Sequence, residues 1–143
     1  MKTVAKIIES YGGLKWLRKP GNYIRLENPP YMRLVIEHIG HGPRGRPAIA
    51  VAHYYEQNGD LMRDPEMVFE AGPGRELLPV SYQQDNLGIY QEAALQDDQG
   101  GVMVRPRLTK ELARFARQWD RNLKDQGFVQ AARAEAGRRA EAG

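Results

Sequence analysis

Ala48-Ile49-Ala50-Val51-Ala52-His53-Tyr54-Tyr55-Glu56-Gln57-Asn58-Gly59-Asp60-Leu61-Met62-Arg63-Asp64-Pro65-Glu66-Met67-Val68-Phe69-Glu70 is the stretch that decides how this chain folds. Asn58-Gly59 accepts the positive φ angles of a type I′ turn, so the flanking runs are expected to fold back as a β-hairpin whose register is set at the turn. Counting outward, Gln57 faces Asp60, Tyr55 faces Met62 and His53 faces Asp64. An imidazole beside a carboxylate can serve as a general base or hold a metal ion, and Glu66, expected next to Val51, adds another oxygen. Magnesium or manganese would suit such ligands. Pro65 works against the pairing, because it cannot donate to the ladder and implies a bulge or an edge strand.

Extended segments lie on both sides of the hairpin. Tyr23 to Glu27 and Met32 to Ile39 precede it; Leu78 to Gln84, Ile89 to Leu95 and Val102 to Arg105 follow. Alternation is clearest in Met32-Arg33-Leu34-Val35-Ile36-Glu37, which marks a strand with one solvated face. Asn28-Pro29-Pro30, Gly72-Pro73-Gly74, Asp85-Asn86-Leu87-Gly88 and Asp97-Asp98-Gln99-Gly100-Gly101 carry turn chemistry and leave no room for a crossover helix. An antiparallel meander of five to seven strands is therefore expected. Gly40 to Pro47 reads as a flexible basic loop. Its Gly40-His41-Gly42 step lacks the lysine and the following helix of a phosphate-binding loop.

The ends of the chain read as helical. Val4, Ile7, Ile8 and Tyr11 fall at i, i+3, i+4 and i+7 ahead of Gly12-Gly13, which marks a short amphipathic helix and its stop. Leu14, Trp16 and Leu17 should dock it, with Trp16 in the core. After Pro106, at 100° per residue, Leu112, Phe115, Ala116, Trp119 and Leu123 share one face, and Lys110, Arg114, Arg117, Arg121 and Lys124 share a narrow opposite arc. Thr109 is the expected N-cap and Gly127 the expected stop. This long C-terminal helix should pack on one face of the sheet, giving an α+β fold. A single domain is expected over residues 1–128. Residues 129–143, rich in Ala, Arg, Glu and Gly, are expected to fray as a tail.

Composition narrows the functional classes. The chain has 143 residues, 41% hydrophobic and 27% charged, and a mean hydropathy of −0.64, as in ordinary soluble domains. No apolar run approaches the roughly 20 residues of a membrane span. Lys6 and Glu9 interrupt any signal-like apolar segment, so a cytoplasmic protein without membrane contact is expected. The absence of cysteine rules out disulfides, thiolate zinc sites and a cysteine nucleophile. Ser10 and Ser81 are the only serines, and neither sits in a Gly-x-Ser-x-Gly elbow. The net charge of +3, from 21 basic and 18 acidic residues, argues against an acidic mimic of DNA and gives weight to where the cations lie.

Two surfaces invite a binding role. The basic stripe Lys110, Arg114, Arg117, Arg121 and Lys124, joined by Arg44 and Arg46 of the loop and by Arg138 and Arg139 of the tail, could contact nucleic-acid phosphates. Asp120 and Asp125 flank that stripe. Tyr54, Tyr55, Tyr82 and Tyr90, with Gln83, Gln84 and Gln91, could form a stacking platform for bases, or could simply alternate between core and surface.

The blocks from Ala52 to Leu61, Asp64 to Phe69, Tyr82 to Asp85 and Gly88 to Glu92 together resemble an uncharacterised bacterial domain family found in proteins of plasmids, integrative elements and phages. The resemblance spans roughly Met1 to Trp119. It implies a genetic setting, and carries over no catalytic residue and no cofactor. The expected function is a non-enzymatic macromolecule-binding accessory module of a bacterial mobile element. Its partner would be nucleic acid bound without sequence preference, or a host or element protein. The alternatives are a metal-assisted hydrolase using His53, Asp64 and Glu66, and a protein-binding inhibitor of a host defence system. The oligomeric state stays open.

Overall fold

Asn58 and Gly59 take φ angles of 53° and 83° and close the two-residue turn, with Gln57 paired to Asp60 as the dipeptide requires. Around this hairpin the computed structural model describes residues 1–142. Two short helices open the chain, α1 (Lys2–Ser10) and α2 (Gly13–Leu17). Six strands follow: β1 (Ile24–Asn28), β2 (Tyr31–His41), β3 (Pro47–Gln57), β4 (Asp60–Ala71), β5 (Leu77–Gln84) and β6 (Ile89–Glu92). They lie side by side in chain order, every neighbour antiparallel, so the sheet is the expected meander. A separate ribbon pairs β7 (Ala94–Gln96) with β8 (Val102–Val104). Two helices close the fold, α3 (Pro106–Asp125) and α4 (Phe128–Ala142). Among the described residues no helix is long and apolar enough to cross a membrane.

All the helices cover one face of the sheet. Ile24, Leu26, Leu34, Ile36, Ile49, Val51, Met67 and Phe69 alternate onto that face and meet Val4 and Ile7 of α1, Leu112 and Trp119 of α3, and Phe128 of α4. Trp16 is half-buried, with its ring 5.2 Å from that of Tyr11.

Three expectations change. The run Ile89 to Leu95 is not one strand: Ala93 is buried, donates its N–H to Val80, and turns the chain out of the main sheet into the ribbon. Thr109 is not the N-cap of α3. The helix starts at Pro106, whose fixed φ suits a first turn, and Thr109 lies inside it with Oγ1 donating to the Arg105 carbonyl at 2.8 Å. The tail expected to fray from residue 129 is helical through Ala142. Gly127, at φ 83°, ends α3 and lets the chain restart as α4, which packs on α1 and β1 through Phe128, Val129 and Ala132. Alanine is enough there, because a small side chain lets two helices approach closely. Gly143 lies outside the described residues.

The N-terminus of α1 has no cap of its own. Asp120 of α3 supplies one, accepting from the backbone N–H of Thr3 at 3.1 and 3.0 Å and of Val4 at 3.2 Å. A carboxylate there satisfies orphan donors and the positive end of the helix dipole. Asp120→Ala is expected to cost about 1 kcal/mol, the usual worth of a cap. Urea unfolding followed by tryptophan fluorescence checks it, and an unchanged midpoint would mean that water caps α1 equally well.

Candidate functional site

α3 is about 30 Å long at 1.5 Å per residue. Its apolar side is pinned by buried Leu112, Ala116, Trp119 and Leu123, which turns Lys110, Arg114, Arg117, Arg121 and Lys124 outward, all exposed. Phe115, expected in the buried set, is 37% exposed and lies at the margin, edge-on to Tyr82 at 5.3 Å between centroids. Among the described residues none of the five cations has a carboxylate oxygen within 4.0 Å; Arg121 donates to Gln118 Oε1 at 2.8 Å. Asp120, expected to flank the stripe, is committed to α1. Arg107 extends the row. It lies seven residues before Arg114, within about 20° on the helical wheel, is exposed, and among the described residues has no carboxylate oxygen within 4.0 Å. The sequence reading missed it by starting the helix too late; the signal was Pro106, a residue that favours the first helical turn.

Of the other expected cations, Arg44, Arg138 and Arg139 are paired through their side chains, while Arg46 is exposed and engages Glu70 only through its backbone N–H. Glu70, 0% exposed, accepts the backbone N–H of Arg44 at 2.9 Å and of Arg46 at 3.0 Å, and Arg44 Nη1 at 3.0 Å. Gly42 N–H donates to the Arg46 carbonyl at 2.8 Å. The loop expected to be flexible is thus wound around a buried carboxylate. Glu70 pairs with Ala48 on the sheet face away from the helices, so Arg44 does not join the α3 stripe. In α4, Arg138 and Arg139 are both bound to Glu135, at 2.7 and 3.4 Å, and the Arg139 guanidinium lies 5.6 Å from the Tyr11 ring centre.

The hydrolase residues are not assembled. A register shift between Ala52 and Tyr54, opposite Asp64 and Pro65, places Glu66 across from Ala52 instead of beside Val51. Pro65, lacking an N–H, is where the ladder slips. Glu66 therefore lies on the outer face, where Tyr54 Oη donates to it at 3.2 Å, and burial together with that carboxylate pushes the Tyr54 hydroxyl up to about 12. His53 lies on the opposite face under the helices, its ring 5.5 Å from Trp119 and 5.8 Å from Phe128. Asp64 accepts from Gln84 Nε2 at 3.0 Å. Among the described residues no three His, Asp or Glu side chains are grouped to hold a metal ion.

The tyrosines divide in the same way: Tyr54 and Tyr90 stand on the outer face, while Tyr82 packs under α3. A shared stacking platform is not formed.

Burial pushes the His53 imidazole below its usual 6.5, against the opposing pull of the Arg33 and Met32 backbone and of Asp64. The unfolded chain then binds the extra proton first, so stability is complete above pH 6.5 and falls as pH drops from 6.5 toward the depressed value. In His53→Phe this part of the acid sensitivity should vanish. Unfolding midpoints of both proteins between pH 7.5 and pH 5 read the difference, and parallel curves would contradict it.

Residues 2–129 match the family described as Domain of unknown function (DUF6908). The match runs past Trp119 to include Phe128 and Val129, the first turn of α4. No curated protein and no solved structure matches the chain.

Proposed function

The chain belongs to the DUF6908 family, a domain of unknown function, and from that premise we propose that it is a non-enzymatic module that binds the backbone of nucleic acid through α3. One observation carries the reading: Lys110, Arg114, Arg117, Arg121 and Lys124 line one rigid helical face with no carboxylate partner among the described residues, while Asp120 is turned to cap α1. Helix termini and side chains of this kind recognise phosphates, and no base-reading element accompanies them, so binding is to the backbone without sequence preference. Arg107 joins the contact surface; Arg44 leaves it, being bound to Glu70. As part of the same proposal, the resemblance carried by these sequence blocks favours a bacterial mobile element as the setting, and the composition favours the cytoplasm.

Fluorescence anisotropy of labelled duplex DNA, single-stranded DNA and RNA tests it. If all six cations, Arg107 included, reach duplex phosphates, the affinity should fall with salt at a log–log slope of about 5.4, at roughly 0.9 per contact. Absence of binding at low salt would overturn the reading and leave the stripe as a solvated surface.

A further inference from the structure

The small ribbon leaves β8 as an open edge. Asp97 N–H donates to the Gly101 carbonyl and Arg105 N–H to the Ala93 carbonyl, both at 2.8 Å. Hydrogen-bonded pairs alternate along an antiparallel ladder, so between these two it is Leu95 and Met103 that exchange bonds. The N–H and C=O groups of Val102 and Val104 therefore point away from β7. Among the described residues no further strand lies beyond them and no backbone group meets them. The side chains are open as well: Val102 is 41% exposed, Met103 52% and Val104 43%. Folded chains ordinarily break such an edge with lysine, proline or a bulge, and none of these interrupts Val102 to Val104.

We propose that β8 pairs with the β8 of a second copy, antiparallel about a two-fold axis at Met103. In this register Val102 of each copy faces Val104 of the other. The outward backbone groups then satisfy one another, the four valines form one apolar stripe, and the two Met103 side chains meet on the axis. Charge favours this direction of pairing. Asp97 and Asp98 lie in the turn at one end of the ribbon; Arg105 and Arg107 stand at the other, with Glu111 a turn further along α3. Asp97 is taken up by the N–H groups of Gln99 and Gly101, while Asp98 is exposed and without an ion pair among the described residues. Antiparallel pairing sets the acidic turn of each copy beside the arginine end of the other, whereas parallel pairing sets like ends together. Three residues a side bury less than a standard interface, so the dimer is weak, with a Kd on the order of 100 μM.

Sedimentation equilibrium of the full chain, without nucleic acid, from about 10 μM to about 1 mM tests this. The mass should rise from the 16.2 kDa of one chain toward twice that value, and over the same range ¹H–¹⁵N shifts should move at Gly101 to Arg105. Met103→Lys sets two ammonium groups opposite each other on the axis, and Val104→Pro removes an outward donor while sparing the β7 ladder. Each should weaken association at least about tenfold. Both positions are exposed, and melting temperatures verify that the fold is kept. A chain that stays monomeric at about 1 mM overturns the proposal and leaves the edge to a strand of another protein. Association that both variants retain, or shifts confined to other residues, overturns it as well.

Discussion

Glu70→Ala is expected to destabilise the protein by about 3 kcal/mol, from the loss of three hydrogen bonds to a buried charge. The Glu70 carboxylate is fully buried and gathers Arg44 N–H, Arg46 N–H and Arg44 Nη1 within 3.0 Å. Its removal leaves two loop amides and a guanidinium that is 27% exposed without their acceptor. The guanidinium can turn to water, which keeps the loss below the extreme for a fully buried pair. Gly42→Ala should act through the same element, since a Cβ there would come 2.5 Å from Glu70 Cδ. The double variant Gly42→Ala with Glu70→Ala should then cost less than the sum of its parts, as residues in one network do. Urea unfolding of the four proteins measures this. A loss below about 0.5 kcal/mol in Glu70→Ala, the usual scatter of surface changes, would show the loop to be held by other contacts.

Reversing Arg117 and Arg121 to Glu together is expected to weaken nucleic-acid binding at least about a hundredfold and to lower the salt slope by about 1.8, two contacts at 0.9 each. Both side chains are exposed and lack ion pairs among the described residues, and the 117–121 pair is like-charged before and after, so the fold should survive with a change of a few tenths of a kcal/mol from the new like-charge i,i+4 contact of residue 121 with Asp125. Arg44→Ala is the control, because its guanidinium serves Glu70 and not the stripe. It should cost stability and leave affinity unchanged. Anisotropy titrations of the three proteins at two salt concentrations separate the cases. Equal affinity of the wild type and the double reversal would remove α3 as the contact surface.

Much of this architecture was written locally. Asn58-Gly59 specified its turn because few residue pairs accept two positive φ angles, and the short Gly- and Pro-rich connections left no topology but a meander. The stripe on α3 was equally legible, because helical periodicity sorts residues by face whatever the helix packs against. Arg107 escaped only through a misplaced helix start. The hydrolase triad failed at a single residue, since the slip at Pro65 moved Glu66 to the face opposite His53.

What the sequence determined by itself was therefore whatever depends on neighbours in the chain: turn, strand alternation, strand order and the two faces of α3. Tertiary structure alone decided how each charge is employed. Asp120 and Asp125 are the same residue type at opposite ends of a six-residue stretch, yet one caps α1 and the other stays exposed at the helix end. Glu70 and Glu66 alternate onto the same outer face, yet only Glu70 is enclosed, by a loop that begins 28 residues earlier at Gly42 and donates its backbone amides. The C-terminal helix holds because α1 and β1 offer a surface to Phe128, Val129 and Ala132, which no local propensity records. Burial and pairing belong to the partner surface as much as to the residue, and the partner arrives only when the chain has folded.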